Sequence, residues 1–168
     1  MAAAQNQSEV LRALQKAHGK LENVIRYLRP KGGVVLACAA KGARDCKGVA
    51  VAHENSVGFG IDEEITRVLL TVLRYDEDMR ACGVVRYTDE IYEFVRDLLL
   101  EVEKYDVQKY PKGISTMDWG ISFMCKNGVP MALASQNSQE RDDCIFIFGT
   151  TPDEAANRIL ILSERLSI

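Results

Sequence analysis

The sequence predicts an α/β layered domain in which helices alternate with short buried strands. Two observations support this prediction: apolar residues recur at helical spacing in several segments, and short apolar runs rich in Val, Ile and Ala lie between them. The chain has 168 residues, 47% of them hydrophobic and 27% charged, so it is long enough to bury a sizeable core. The sequence contains no internal repeat and no dividing linker, and we therefore expect one domain over residues 1–168.

The predicted helices share an apolar stripe with a period near 3.6 and, at the start, a residue that can cap free backbone N–H groups. They are Ser8–Leu28, Asp62–Leu73, a helix capped by Thr88 that carries Ile91 and Leu98, Thr116–Lys126, and a last helix opened by Thr151 and Pro152. The turn at residues 30–33, with one proline and two glycines, is expected to end the first helix.

The predicted strands are short apolar runs bounded by turn residues. They are Val34–Cys38, Gly48–His53, Ala81–Val85, Val102–Pro111 (a strand running into a loop), Pro130–Ala134 and Cys144–Phe148. Phe59 and Gly60 are expected to close a loop between the second strand and the second helix.

Composition excludes several classes of partner. The net charge is −3, so no general basic field favours direct binding of nucleic acid. No apolar run reaches the roughly 18 residues of a membrane span, and the first residues do not form a secretory signal. We therefore expect a cytoplasmic protein without a membrane partner.

The five cysteines occur singly, and the chain has two histidines. This pattern argues against a zinc site and against a disulfide framework, so no metal site of that kind is predicted. Four of the cysteines lie in apolar surroundings and are expected to be buried: Cys38, Cys82, Cys125 and Cys144. Cys46 lies between Asp45 and Lys47, and a nucleophilic role for it is the weaker interpretation because no histidine neighbours it.

A segment rich in hydroxyls, residues 113–120, is the strongest local signal for ligand binding. Gly113, Ser115 and Thr116 precede helical spacing, which is typical of a helix N-terminus with unpaired amides. Such an end binds anions because its N–H groups and the helix dipole favour negative charge. In isolation an ordinary Ser/Thr cap is the commoner explanation.

Several ordered motifs along the chain match a known family. They are Phe59-Gly60 followed by Arg67 on a helix, residues 73–81 followed by 85–91, the segment 113–120 ending in Trp-Gly, and Arg141-Asp142 before the strand at 145–149. On these motifs the chain resembles the ThiN-type thiamine-phosphate synthase domain, a family that also supplies the ligand domain of archaeal thiamine regulators.

The resemblance implies a three-layer α/β/α domain with a mixed, largely antiparallel sheet, similar to class II aldolases. It also implies a reaction that joins hydroxymethylpyrimidine pyrophosphate to hydroxyethylthiazole phosphate, for which charge stabilisation and positioning would suffice. The resemblance also implies a set of ligand-binding residues, which would bind phosphate groups or stack on an aromatic ring of the ligand. They are Arg67, Arg86 and Arg141 as cations, Ser115 and Thr116 as donors, Trp119 as a stacking wall, and Asp142 beside Arg141.

Each of these assignments has a structural alternative. An ion pair explains Arg86 as well as phosphate binding does, and a salt bridge on a solvated helix face is slightly favoured for Arg67. Trp119 is the only tryptophan in the sequence, and a core position is the commoner explanation for it.

The chain departs from the family pattern at two places. Glu64 stands where the resemblance implies a histidine needed for the chemistry, and the segment between Gly48 and Phe59 is shorter and lacks the expected arginine. Negative charge near a bound phosphate is costly, which favours a domain that binds thiamine monophosphate or a related phosphorylated metabolite without making it. We expect no room for a helix-turn-helix ahead of the domain, so a sensor of this kind would be an excised or partner-dependent one; the partners considered are a second copy in a homodimer and a fusion partner.

A working synthase is the alternative. In that case His53 or Arg44 would take over the missing roles, and Asp62, Glu63 and Glu64 would hold Mg²⁺ on the diphosphate. Acidic residues in the first turn of a helix are more simply explained by the helix dipole. A sugar-phosphate lyase on an aldolase-like fold would need metal-binding histidines that the sequence does not supply.

Overall fold

The computed structural model describes residues 2–99, 101–106, 121, 124–125, 127–137 and 142–167, with side chains from residue 7 onward. Among these residues, no helix is long and apolar enough to cross a membrane.

The described strands form one mixed sheet in the order β3-β2-β1-β4-β7-β6-β5. Their bounds are β1 Val35–Ala39, β2 Val49–His53, β3 Ser56–Phe59, β4 Ala81–Arg86, β5 Val102–Asp106, β6 Ala132–Gln136 and β7 Cys144–Gly149. Every neighbouring pair is antiparallel except β5 and β6, which run parallel. This confirms the predicted mixed, largely antiparallel sheet.

Helices cover both faces of the sheet. Their bounds are α1 Ala2–Lys20, α2 Glu64–Leu73, α3 Asp89–Leu99 and α4 Pro152–Leu166, with short 3-10 turns at Leu21–Asn23, Arg26–Leu28 and Cys46–Gly48. Buried residues of α1, α3 and α4 pack on one face, and those of α2 pack on the other together with Ile121 and Cys125. The described residues therefore form the expected three layers.

Side-chain alternation along the strands divides the core into two halves. Leu36 and Cys38 of β1 face α1 and α4, whereas Ala37 and Ala39 face α2. In β7, Ile145 and Ile147 face α1 and α4, and Phe146 and Phe148 face α2. The two-residue period of a strand thus explains why both faces of the sheet are apolar and covered.

The region after α1 differs from the prediction of one helix over Ser8–Leu28. α1 begins ahead of Ser8, which lies inside the helix and does not cap it, and regular helix stops at Lys20. Val24 and Ile25 are extended, and two consecutive β-branched residues favour such a conformation. The apolar spacing still predicts burial correctly, since Leu21, Val24 and Leu28 are all buried.

Two of the predicted caps, Thr88 and Thr151, are confirmed, and a second one besides Ser8, Asp62, is wrong. The Thr88 hydroxyl accepts a hydrogen bond from the Ile91 N–H, and the Thr151 hydroxyl accepts one from the Glu154 N–H. Asp62 does not cap α2, because its carboxylate pairs with Arg67 instead. The predicted loop before α2 contains strand β3, an edge strand with no fully buried side chain.

Candidate functional site

A large cavity lies at one end of the central strands of the sheet, where β1 begins and β4 ends. Its volume is about 1360 Å³, and its floor includes Val35, Val84 and Phe146 from three adjacent strands. Val84 and Phe146 belong to the core half that α2 covers, and Ile65 in the first turn of α2 also lines the cavity. The antiparallel order brings strand ends and connecting turns to this one end.

The turn that follows α1 supplies the basic side of the cavity. Arg26, Arg29 and Lys31 line it, and Arg86 at the end of β4 joins them. The Arg29 Nε donates to the Val24 carbonyl at 2.8 Å, so this guanidinium stabilises the turn itself. Arg26, Lys31 and Arg86 are exposed and face solvent within the cavity mouth.

Gly33 lets this turn approach Glu54, a carboxylate that also lines the cavity. Its φ of +97° is a conformation that L side chains rarely adopt, and a Cβ at this position would overlap the Glu54 side chain. Glu54 follows β2, and its side chain fills the space beside Gly33, so the turn and the end of that strand are neighbours. Both residues line the cavity.

Carboxylates form the acidic side of the cavity. Glu54 follows β2, Glu63 and Glu64 stand at the start of α2, and Asp142 and Asp143 precede β7. Glu64 is buried at 7% exposure, whereas Asp142 is exposed. The Asp143 carboxylate accepts a hydrogen bond from the Asn137 N–H at 2.9 Å.

An imidazole and a carboxylate form a close pair beside the cavity. His53 Nε2 and Glu63 Oε1 are 2.5 Å apart, and both side chains are about one-third exposed, at 33% and 32%. Glu63 lines the cavity directly. The contact therefore places a histidine next to the acidic side, although the helix that begins at Glu64 carries none.

The structure brings some predicted binding residues to this cavity and not others. Arg86 and Asp142 line it. Arg67 is not among the lining residues, and its guanidinium lies 3.1 Å from the Asp62 carboxylate. Ser115, Thr116, Trp119 and Arg141 lie outside the described residues.

The three acidic residues considered for Mg²⁺ take different environments. Asp62 pairs with Arg67, Glu63 pairs with His53, and Glu64 is buried in the cavity wall. The described part of the chain holds no group of three or more His, Cys, Asp or Glu residues arranged to bind a metal ion.

The cysteines are free thiols, and four of them are buried as predicted. Burial raises the pKa of the Cys38 thiol to about 11, despite the nearby Arg80 charge, and burial also raises the pKa of Cys125 to about 11. Cys82 is fully buried, and its pKa is raised well above the ordinary value for the same reason. Cys46 is partly exposed and lies away from the cavity lining.

Sequence reasoning missed the basic turn and Glu54. The pattern at residues 30–33 predicts only the end of a helix. Three cations within six residues around it, at Arg26, Arg29 and Lys31, were a signal of a charged surface. Their approach to Arg86 depends on the pairing of β1 with β4, which local sequence does not reveal.

Comparisons with known proteins agree with this architecture. The family model described as "Thiamine-phosphate synthase ThiN" matches residues 13–161. The bifunctional thiamine biosynthesis protein ThiDN of Methanocaldococcus jannaschii is 23% identical over 95% of the chain. The chain spans 42% of that relative's length.

Solved structures share the fold at low sequence identity. The crystal structure of the C-terminal domain of protein MJ0236 matches with a TM-score of 0.86 and 21% identity, covering 96% of this chain and 97% of that one. The C-terminal domain of phosphomethylpyrimidine kinase matches with a TM-score of 0.76 and 22% identity, covering 95% and 98%.

A more distant match indicates the wider fold class. L-fuculose-1-phosphate aldolase from Thermus thermophilus matches with a TM-score of 0.53 and 13% identity, covering 94% of this chain and 92% of that one. The likeness confirms the predicted class II aldolase-like fold. The family model covers most of the chain, and the protein therefore belongs to the ThiN family.

Proposed function

We propose that this chain binds thiamine monophosphate, or a related phosphorylated metabolite, without synthesising it. One observation carries the proposal: the cavity is lined by both cations and carboxylates, and Glu64 is buried in its wall at the position where the family resemblance implies a catalytic histidine.

The basic side suits a phosphate ester. Arg26, Lys31 and Arg86 are exposed within the cavity, and guanidinium and ammonium groups donate charge-assisted hydrogen bonds to phosphate oxygens. Because Arg86 and Lys31 come from different elements, a phosphate between them would be held from two sides.

The acidic side favours the product over the precursors. Thiamine monophosphate carries a permanently cationic thiazolium ring beside its phosphate, whereas the pyrimidine diphosphate and the thiazole phosphate are anions. Carboxylates such as Glu54, Glu63 and Glu64 repel a polyanion and attract a cationic ring. The cavity therefore suits a ligand that carries both charges.

An active synthase is the second candidate, and the His53–Glu63 pair is the observation that favours it. A histidine beside the cavity could serve as the catalytic imidazole that the position of Glu64 lacks. In this case His53 would have to contact the ligand in place of Glu63.

The two candidates differ in a direct experiment. Isothermal calorimetry should show micromolar or tighter binding of thiamine monophosphate, and a coupled assay with both precursors and Mg²⁺ should show no product. Robust product formation that is lost in His53→Ala would establish the synthase instead. Absence of binding by thiamine monophosphate would remove the proposed function.

A domain that senses a phosphorylated ligand would act through a partner. The M. jannaschii relative is named as bifunctional and is more than twice as long as the matched region, which supports a fused or separate partner domain for this chain. A homodimer and a cytoplasmic location remain predictions, to be measured by light scattering and by cell fractionation.

A further inference from the structure

The Arg86 guanidinium lies against an aromatic ring at the cavity mouth. Its Cζ atom is 5.9 Å from the centroid of the Tyr27 ring, within the range of a cation–π interaction. Within the described part of the chain no carboxylate forms an ion pair with Arg86, unlike Arg67, Arg96 and Arg158, which each pair with an acidic side chain. The guanidinium contacts the face of the ring, and the Tyr27 hydroxyl is engaged by Thr88 and Glu90, so the Arg86 N–H groups remain available to a ligand.

The Tyr27 ring is itself held by its hydroxyl. The Tyr27 oxygen is 3.0 Å from the Thr88 hydroxyl and 3.3 Å from Glu90 Oε2, to which the phenol donates. Thr88 also accepts the N–H of Ile91 as the cap of α3. Because Thr88 follows β4 by two residues, the ring is tied to the same segment that carries Arg86.

The turn that carries Tyr27 is fixed on its other side. The Ile25 N–H donates to the Ser163 hydroxyl of α4 at 2.9 Å, and Leu28 is fully buried. Tyr27 therefore sits in a short 3-10 turn with anchors before and after it, on the basic side of the cavity.

We propose that Tyr27 is a positioning residue that orients the Arg86 guanidinium toward the phosphate group of the bound ligand. This inference rests on the proposed function, because it assigns a role within the same site. Tyr27 does not line the cavity; it acts through Arg86. A long arginine side chain loses rotamer freedom when it binds, and a ring that holds it in advance lowers this cost.

The test measures two matched ligands by calorimetry, thiamine monophosphate and unphosphorylated thiamine. Tyr27→Leu removes the ring and should weaken binding of thiamine monophosphate about three- to tenfold. Tyr27→Phe keeps the ring and loses the hydroxyl tether, so it should weaken binding by about twofold. Thiamine lacks the phosphate, and its affinity should stay unchanged in both variants. Tyr75→Leu, which replaces a tyrosine that is 48% exposed and away from the cavity, is the matched control.

A double-mutant cycle separates positioning from general loosening of the fold. In an Arg86→Ala background, Tyr27→Leu should have no further effect on thiamine monophosphate binding, because both residues act on one interaction. Equal losses for both ligands, or additive effects of the two substitutions, would overturn the positioning role while leaving the proposed function intact. Failure of the wild type to bind thiamine monophosphate would overturn both. If Tyr27→Leu does not fold, Tyr27→Phe with and without Arg86→Ala applies the same cycle to the hydroxyl that holds the ring, and an additive effect there would also overturn the positioning role.

Discussion

His53 Nε2 lies 2.5 Å from Glu63 Oε1, and this contact joins the end of β2 to the residue that precedes α2. The imidazole is thus engaged with a side chain of the cavity wall. A mechanism that used His53 as the catalytic imidazole would have to exchange this contact for one with the ligand. Glu63 is thus held by His53, and the next residue, Glu64, is buried in the same wall.

Arg86→Ala should weaken binding of thiamine monophosphate by about ten- to hundredfold, because a charge-assisted hydrogen bond to phosphate is lost. Calorimetry gives the affinity, and thermal unfolding shows whether the fold is retained. Arg96→Ala is a suitable control, since Arg96 pairs with Glu93 on the exposed side of α3 and is absent from the cavity lining. Unchanged affinity in the folded Arg86 variant would remove this residue from the site.

Glu64→Gln should strengthen binding of inorganic pyrophosphate, on the order of tenfold, because a neutral amide replaces a carboxylate in the cavity wall. The measurement is a calorimetric titration at low and high salt, and the gain should shrink as salt screens the remaining charges. Glu103→Gln on the exposed side of β5 provides a charge-matched control. A folded Glu64 variant with the same or weaker pyrophosphate affinity would contradict the repulsion argument.

Ellman's reagent at pH 8 should detect one rapidly reacting thiol in the native protein, that of Cys46. With a pKa of about 11, the Cys38 and Cys125 thiols are ionised at only about one part in a thousand at this pH, and burial also blocks access. Raising the pH increases the thiolate fraction, so slow reaction of these two should appear only in strongly alkaline solution. Cys46→Ser should abolish the fast signal; a fast thiol remaining in that variant would refute the assignment.

Thr151→Ala should lower the free energy of unfolding by about 1 kcal/mol, because the Glu154 N–H at the start of α4 loses its acceptor. Urea denaturation measures this difference. Thr151→Ser keeps the hydroxyl and should retain most of the stability. Equal losses in the alanine and serine variants would show that the Thr151 methyl group, and not the cap, provides the stabilisation.

Local signals in the sequence predicted much of the fold. Thr88 and Thr151 precede strongly amphipathic helices, and both cap as predicted. Ser8 fails as a cap because the residues before it are also good helix formers, so the helix extends past it. Strand β3 was missed because Ser56–Phe59 is short, contains a glycine and has no fully buried position, which weakens the periodic signal.

The candidate site was only partly predictable for a different reason. Arg86 was recognised because it directly follows a buried strand, and strand ends are where side chains emerge from a sheet. Arg26 and Lys31 reach the same cavity only because β1 and β4 pair across more than forty residues of sequence. That proximity follows from topology, and one sequence without homologues carries no direct record of it.

The hydrogen bond from the Ile25 N–H to Ser163 links the basic turn to the last helix across 138 residues of chain. The position of the basic turn, and with it the phosphate binding proposed for Arg26 and Lys31, therefore depends on α4. A redesign of α4 that removes Ser163 would loosen the basic turn and displace its cations, although no residue of α4 lines the cavity.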